Sequence, residues 1–188
     1  MADYYSDNAA GLYEQYQSMT FDQVHADWLA HLPDRPGFAL DVGAGSGRDA
    51  AALAARGWEV VATEPADALR ALAAEGTAGS TVQWLDDRLP ELAKTRAAGF
   101  RFDLILVSAV WMHVPASQSE RAFRILTELL APGGQLVITL RHGPSPDERT
   151  FRDVDPGEIE ALARRRALLT AHRGRGADQR GREGVSCD

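Results

Sequence analysis

FALDVGAGSGRDAAALAARG, residues 38–57, sets an apolar run directly before three glycines at alternate positions and an alanine-rich run directly after them. Phe38 to Val42 has the length and composition of a short buried strand, and Asp49 to Arg56, closed by Gly57, those of a helix. Gly43, Gly45 and Gly47 therefore fill a strand-to-helix turn, where a ligand approaches main chain closely and positive φ is permitted. The turn reads as a binding loop. Its pattern is G-x-G-x-G, and Arg48 stands where a dinucleotide fingerprint has its third glycine. No Lys-Ser or Lys-Thr pair follows to make a phosphate loop of the nucleotidase kind.

Outward from this turn, helices and strands alternate. TFDQVHADWLAHLP, residues 20–33, pairs Thr20 with Gln23 in capping-box spacing and lines Phe21, Val24, Trp28 and Leu32 along one face, which predicts a helix closed by Pro33. WEVVATE (58–64) is a second strand, PADALRALAAEG (65–76) a helix, and TVQWL (81–85) a third strand followed by a short helix around residues 89–97. FDLILVSAV (102–110) is too uniformly apolar for a strand with one wet face and belongs at the centre of a parallel sheet. Ser117 and Glu120 have capping-box spacing at the head of the next helix, and QLVITL (135–140) is a fifth strand. Asp155 then caps a helix with Pro156 at its first position, and ALLTAH (167–172) reads as a sixth strand. The alternation predicts a doubly wound α/β sheet with ligands at the carboxyl ends of its strands.

Composition narrows the class. At 188 residues, 45 % hydrophobic and 25 % charged, the chain reads as one globular domain, and its longest apolar run is too short to cross a bilayer. With no basic leader ahead of an apolar core, a cytoplasmic protein without membrane partners is expected. The one cysteine, Cys187, leaves no internal disulfide and no cysteine cluster for a metal. Residues 1–160 carry 13 Lys+Arg against 24 Asp+Glu, whereas residues 161–188 carry 7 against 3. The acidic body disfavours a nucleic-acid groove. The tail arginines, Arg164 to Arg166, Arg173, Arg175, Arg180 and Arg182, have no aromatic residues between them to stack on bases and read as a solvated helix end and loop.

Acids stand at the strand ends. Glu64 closes the second strand 17 residues after Gly47, where a carboxylate accepts both hydroxyls of a ribose, pointing to an adenosine-like ligand. Asp86, just past the third strand, can accept from an exocyclic amine, and Asp87 is an equally placed rival. Asp41, ending the first strand, reads equally as a structural acceptor for the glycine turn and as a direct ligand contact.

LDVGAGSGRDA, VVATEPAD, VQWLDD, FDLILVSAVWMHV and LLAPGGQLVIT resemble, in order and spacing over residues 38–140, the successive motifs of the class I S-adenosylmethionine-dependent methyltransferases. The resemblance implies a Rossmann-like, three-layer αβα fold, with residues 1–36 as a helical lid and 37–188 as the S-adenosylmethionine-binding domain. It implies that Gly43, Ala44, Gly45 and Gly47 line the methionine part of the cofactor, that Glu64 binds its ribose and Asp86 its adenine. It also places Ser108 where main chain meets the cofactor's amino group. Tyr5, Tyr13 and Tyr16 fall where many relatives carry a lid over the methyl group.

A sulfonium is already a strong methyl donor, so alignment of the acceptor and exclusion of water should dominate the catalysis. A base is needed only if the acceptor loses a proton, and the candidates are His113, His25 and His142, of which His113 follows the central strand. His25 and His31 also read as ordinary helix residues. Trp111, Tyr16 and Arg141 are candidate acceptor contacts, Arg141 through a bidentate bond to an anion, although Asp147, Glu148 and Asp153 offer it internal partners. The exit of the fourth strand, SAVW, lacks the Asn/Asp-Pro-Pro-aromatic signature of nucleobase methylation, which with the acidic body favours a small-molecule acceptor. Relatives complete the sheet with a seventh, antiparallel strand, and GVSCD ends before one. An open edge on the fifth strand invites pairing with a second copy. The alternatives are a cofactor-binding partner protein without turnover and a nicotinamide oxidoreductase, the latter weakened by Arg48.

Overall fold

The computed structural model of the chain describes residues 2–143, 149, 151–174, 176–177 and 186–187. Five strands, β1 (Phe38–Val42), β2 (Glu59–Thr63), β3 (Val82–Leu85), β4 (Phe102–Ser108) and β5 (Leu130–Thr139), form a parallel sheet in the order β3-β2-β1-β4-β5. Each strand follows the last through a helical crossover, as parallel pairing requires. Alternate side chains feed two cores. Leu40, Val42, Val61, Ile105 and Val107 face one side; Ala39, Val60, Ala62, Leu104 and Leu106 face the other. Because both faces of β4 are covered, Leu104 to Val107 are fully buried, which explains the unbroken apolar run.

Eight α-helices are described: α1 (Ala2–Asp7), α2 (Ala9–Gln17), α3 (Phe21–His25), α4 (Arg48–Ala55), α5 (Asp67–Gly76), α6 (Ala93–Ala97), α7 (Ser119–Leu129) and α8 (Pro156–Arg165). Phe21 of α3 and Ala50 and Leu53 of α4 enter one core. On the opposite face α7 presents Ala122, Phe123, Ile125, Leu126 and Leu129 at helical spacing, and α8 adds Leu162 and Ala163. The outcome is the expected three-layer αβα sandwich. The two amino-terminal helices lie against α5, where Ala9, Ala66 and Leu69 pack with Tyr5, Tyr13 and Tyr16. No helix among the described residues is long and apolar enough to cross a membrane.

Several sequence expectations are corrected. The capping box of Thr20 and Gln23 is present in both directions, but α3 ends at His25, and a 3-10 turn follows at Leu29–His31. The break arises because His25 and Trp28 are drawn together toward Asp49, as described below. Ser117 and Glu120 form no cap: Ala116–Gln118 is a 3-10 turn after Pro115, and α7 starts one residue later without a side-chain cap. Asp155 does cap α8, accepting from Gly157 N–H at 2.9 Å, while Glu158 turns to Arg152 instead of back to the cap. Residues 167–172 make no strand. Ala167 adopts φ 56°, a left-handed residue that turns the chain out of α8 and leaves Leu169 94 % exposed.

The carboxyl end contributes one short ladder. β6 (Arg141–His142) and β7 (Gly176–Ala177) pair antiparallel with β8 (Ser186–Cys187), two residues at a time. Among the described residues no strand pairs with the outer edge of β5. Asp147, Glu148, Arg175, Arg180 and Arg182 lie outside the described residues.

Candidate active site

Strand order reverses between β1 and β4, and the cleft outside their carboxyl ends is where ligands of such sheets bind. All three glycines of the turn have positive φ. Gly43 has a second constraint. Ala109, at φ 52° just past β4, is held by Thr139, its N–H meeting Thr139 O at 3.2 Å and Oγ1 at 3.0 Å, and this turn sets Val110 across the loop. A Cβ on Gly43 would lie 2.6 Å from Val110 Cγ2. At Gly45 the nearest atoms are those of the Tyr16 ring, at an ordinary 3.4 Å.

Glu64 connects the two strand ends. Its Oε2 accepts from Gly45 N–H at 3.0 Å and its Oε1 from Ala66 N–H at 2.9 Å. Burial raises its pKa, against the two backbone bonds and the Arg70 charge. A carboxylate has about four acceptor sites, so these two bonds leave room for hydroxyl donors. Thr63 Oγ1 and O receive Gly43 N–H and Ala44 N–H, which fastens the turn to β2.

The two acids after β3 separate clearly. Asp87 is buried and accepts from the N–H groups of Arg88, Ala93 and Thr95 and from Thr95 Oγ1, so its carboxylate holds the entry to α6. Asp86 is exposed, and its bond to Lys94 Nζ at 3.0 Å lowers its pKa. Ser108, at the end of β4, is half-buried with its hydroxyl 3.5 Å from Thr139 Oγ1.

Beneath the turn lies a buried charge network that the sequence does not signal. Arg48 Nε donates to Asp49 Oδ1 at 2.6 Å, and Asp49 Oδ2 lies 2.9 Å from His25 Nε2. Trp28 Nε1–H donates to His25 Nδ1 at 3.2 Å. An indole N–H only donates, so the ring proton of His25 sits on Nε2 and both nitrogens are engaged. His25 is thus a strut and not a base. Burial works to raise the Asp49 pKa, but the His25 bond and Arg48 hold it below the usual carboxylate range.

Asp41 is the network's cost. It is 1 % exposed, its Oδ2 has no hydrogen-bond partner among the described residues, and burial together with the Asp49 charge pushes its pKa well up. A raised acid pKa gives stability present below the unfolded value and lost as pH rises through the folded one. Asp41→Asn is therefore expected to raise the unliganded Tm by about 2–4 °C near pH 7, for a gain on the order of 1 kcal/mol. Below about pH 4 the difference should vanish. Thermal scans at both pH values check this, and an equal or lower Tm at pH 7 would mean that Asp41 carries its charge without penalty.

Above the turn, side chains far apart in sequence meet. Arg149 Nη1 donates to Tyr5 OH at 3.1 Å and to Tyr16 OH at 3.3 Å, and Tyr5 OH lies 3.1 Å from His113 Nε2. Burial, then the charge of Tyr16, pushes the Tyr5 pKa up to about 12; burial, then the charge of Arg149, lowers that of His113 to about 4. Both groups are neutral at physiological pH. Sequence reasoning located Tyr5, Tyr16 and His113 but not Arg149, whose only signal is a lone arginine in a loop.

The remaining expected contacts divide. Trp111 is fully buried in the core, its ring 6.1 Å from Phe123 at 85°. Arg141 is 9 % exposed, with its Cζ 5.1 Å over the Phe151 ring and Nη1 3.3 Å from Gly143 O. Asp153 pairs with His142, at 2.9 Å from Nδ1.

Residues 15–174 match the family model described as "Methyltransferase domain". No curated protein sequence matches the chain significantly. Three solved structures share its fold. The 1,6-didemethyltoxoflavin-N1-methyltransferase of Burkholderia thailandensis, with 1,6-didemethyltoxoflavin and S-adenosylhomocysteine bound, aligns at TM-score 0.76 and 20 % identity over 99 % of this chain and 84 % of that one. The magnesium protoporphyrin IX methyltransferase of Synechocystis, with bound S-adenosylhomocysteine, aligns at 0.71 and 15 % over 99 % and 95 %. A TehB-like S-adenosylmethionine-dependent methyltransferase of Corynebacterium glutamicum aligns at 0.65 and 18 % over 98 % and 96 %.

Proposed function

We propose, because the chain belongs to the family of methyltransferase domains, that it transfers a methyl group from S-adenosylmethionine to a small-molecule acceptor by direct in-line displacement. The observation that carries this reading is the 3.0 Å bond between Glu64 and Gly45 N–H. It brings the acid of the second strand end against the middle glycine of the first, at the topological switch point. When bound, the cofactor supplies an electrophilic methyl on a sulfonium.

The chain's own residues bind, orient and enclose. Gly43, Ala44, Gly45 and Gly47 let main chain approach the methionine part, with Asp41 beneath them. Glu64 accepts the ribose hydroxyls, Asp86 the adenine amine, and main chain at Ser108 meets the amino group. Residues 1–36 act as a lid on the domain of residues 37–188, with Tyr16 closing over Gly45 and excluding water. An acceptor that must lose a proton gives it to His113, whose Nε2 lies 3.1 Å from Tyr5 OH. Arg48 favours this cofactor over a nicotinamide dinucleotide, since its side chain occupies the third-glycine position and ties Asp49 to Tyr16 O at 3.3 Å. The outer edge of β5, with which no described strand pairs, supports a homodimer, which light scattering of the purified chain tests.

Calorimetric titration with S-adenosylmethionine, S-adenosylhomocysteine and NAD tests the cofactor, and S-adenosylhomocysteine formation in an acceptor screen tests turnover. Micromolar binding of the first two without the third is expected. NAD binding alone would end the reading, and cofactor binding without turnover of any acceptor would favour a partner protein.

A neutral His113 makes a further prediction. Its imidazole signals in an NMR pH titration should show no step between pH 5 and 8 and should move near pH 4. A histidine pKa lowered from 6.5 gives stability present above 6.5 and lost as pH falls toward 4, and His113→Gln should remove that part of the slope. The same variant should lower kcat by about 100-fold while sparing cofactor affinity. A titration step near 6.5 would show a solvated histidine instead.

A further inference from the structure

We propose that Asp41 is the residue by which the site tells S-adenosylmethionine from S-adenosylhomocysteine: it holds a proton in the unliganded protein, releases it to solvent when the sulfonium binds, and takes one back once the methyl has left. The inference rests on reading the glycine turn as the cofactor site and deepens it by naming what separates the methyl donor from its product.

Three carboxylates flank the turn, and their hydrogen bonds differ. Asp49 takes both arms of Arg48, Nε to Oδ1 at 2.6 Å and Nη2 to Oδ2 at 3.0 Å, with His25 Nε2 at 2.9 Å from Oδ2. Glu64 takes Gly45 N–H on one oxygen and Ala66 N–H on the other. Asp41 is 1 % exposed, and its Oδ2 has no hydrogen-bond partner among the described residues. Its strand is paired on both sides, Asp41 against Ala62 of β2 and against Leu106 of β4, which holds the carboxyl group at the middle of the sheet. A buried carboxyl group with an unmatched oxygen and an ionised acid nearby is more stable protonated. The groups that face it act accordingly: burial, then the Asp49 charge, pushes its pKa well up, Glu64 adds to the rise, and Arg48 and the Ala50 N–H oppose it. His25, the remaining titratable group of the cluster, bonds Asp49.

The donor and its product differ by one unit charge, a sulfonium in the first and a neutral thioether in the second, with the ammonium and carboxylate common to both. A cation bound over the turn is screened less than it would be in water and lowers the pKa of the acid beneath it. Asp41 then ionises and attracts the sulfonium. In the methyl transfer the acceptor's lone pair forms the new bond to carbon, and the sulfur keeps the electron pair of the broken S–CH3 bond. With the positive charge gone from the sulfur, Asp41 recovers a proton from solvent and the attraction ends. The sign of the linkage follows. The neutral form of a raised acid prevails up to its folded value, so affinity for S-adenosylmethionine should rise with pH through that window and level off above it, by up to about tenfold per pH unit. Affinity for S-adenosylhomocysteine should stay nearly flat.

Glu64, whose pKa burial also raises, is the competing source of a proton. The experiment separates the two. The full chain is titrated calorimetrically with S-adenosylmethionine and with S-adenosylhomocysteine at several pH values between 5.5 and 6.5, each in two buffers of different ionisation enthalpy, so that the difference in heat counts protons. Over this range α-amino groups, with pKa values of about 8, stay protonated in both ligands, and His113 stays neutral. S-adenosylmethionine should release at least about half a proton more than S-adenosylhomocysteine in some part of the range. Asp41→Asn, with circular dichroism to verify folding, should abolish that difference. Equal proton release by the two ligands, or an undiminished difference in the folded variant, overturns the role of Asp41, and the second result assigns the proton to Glu64. Failure of both ligands to bind the wild type overturns the methyltransferase reading and this inference with it. If Asp41→Asn does not fold or binds neither ligand, Glu64→Gln decides: a difference that survives in it supports Asp41, and one that disappears overturns the proposal.

Discussion

Gly45→Val is expected to yield a folded protein that has lost S-adenosylhomocysteine binding by about 100-fold or more, equivalent to roughly 2.7 kcal/mol. Among the three glycines of the turn, Gly45 isolates the ligand's claim on the space most cleanly. A side chain on Gly43 collides with Val110 at 2.6 Å and one on Gly47 with the Trp84 ring at 2.9 Å, so those substitutions disturb the protein itself. On Gly45 a Cβ meets only the Tyr16 ring and the Gly43 carbonyl, at 3.4 Å or more. The remaining penalty is conformational, because φ is 57° and a β-branched residue there costs about 1–2 kcal/mol. That should appear as a Tm lower by about 2–4 °C per kcal/mol. Gly45→Ala carries much of the backbone strain with less bulk and should bind more tightly than the valine variant. Calorimetry on both, with thermal scans, checks the claim; wild-type affinity in Gly45→Val would make the turn purely structural.

Glu64→Ala should weaken S-adenosylhomocysteine binding by about 10- to 100-fold, since a hydrogen bond to a charged group contributes about 1.5–3 kcal/mol. The same carboxylate accepts from Gly45 N–H and Ala66 N–H, so its removal also frees two backbone donors and loosens the turn. Glu64→Gln keeps the shape and one acceptor oxygen. Its amide nitrogen then faces one of those two N–H donors, so the variant should lose affinity and part of the thermal stability, though less than Glu64→Ala does. If both variants bind as the wild type does, Glu64 only braces the loop.

The parts of the fold that were legible in the sequence are those fixed by neighbours along the chain. Strands β1 to β5 follow from short apolar runs, and the glycine turn from its own spacing, because backbone geometry there is decided within a few residues. The helix expected over residues 20–33 fails for the opposite reason: His25 is bound to Asp49, which lies 24 positions on and belongs to another helix. No periodicity carries that information. Likewise Asp86 and Asp87 are indistinguishable as letters, and only the N–H groups at the head of α6 select Asp87 for the interior. The candidate site divides in the same way. Glu64 and the glycines follow from local spacing, whereas Arg149 reaches Tyr5 across 144 positions and Tyr16 across 133. Residues 167–172 mislead because the left-handed turn at Ala167, which leads the chain out of α8, leaves no mark in an apolar run of letters.

Helix α2 is fastened to the glycine turn at three points: the Tyr16 ring over Gly45, Gln17 Nε2 to Ser46 O at 3.0 Å, and Arg48 Nη1 to Tyr16 O at 3.3 Å. On the proposed reading of α2 as a lid, a cover attached to the floor it closes imposes a timetable on turnover. On that reading the nucleoside would enter before the cover settles and leave after it lifts, while the acceptor would come and go by the Tyr5 side. Initial-rate kinetics should therefore be sequential and ordered, with S-adenosylmethionine first on and S-adenosylhomocysteine last off. Product inhibition should be competitive toward the former substrate and mixed toward the acceptor. Cutting the tether with Gln17→Ala should speed escape of the spent nucleoside, and wherever that escape limits the cycle, the weakened lid should turn over faster than the intact one.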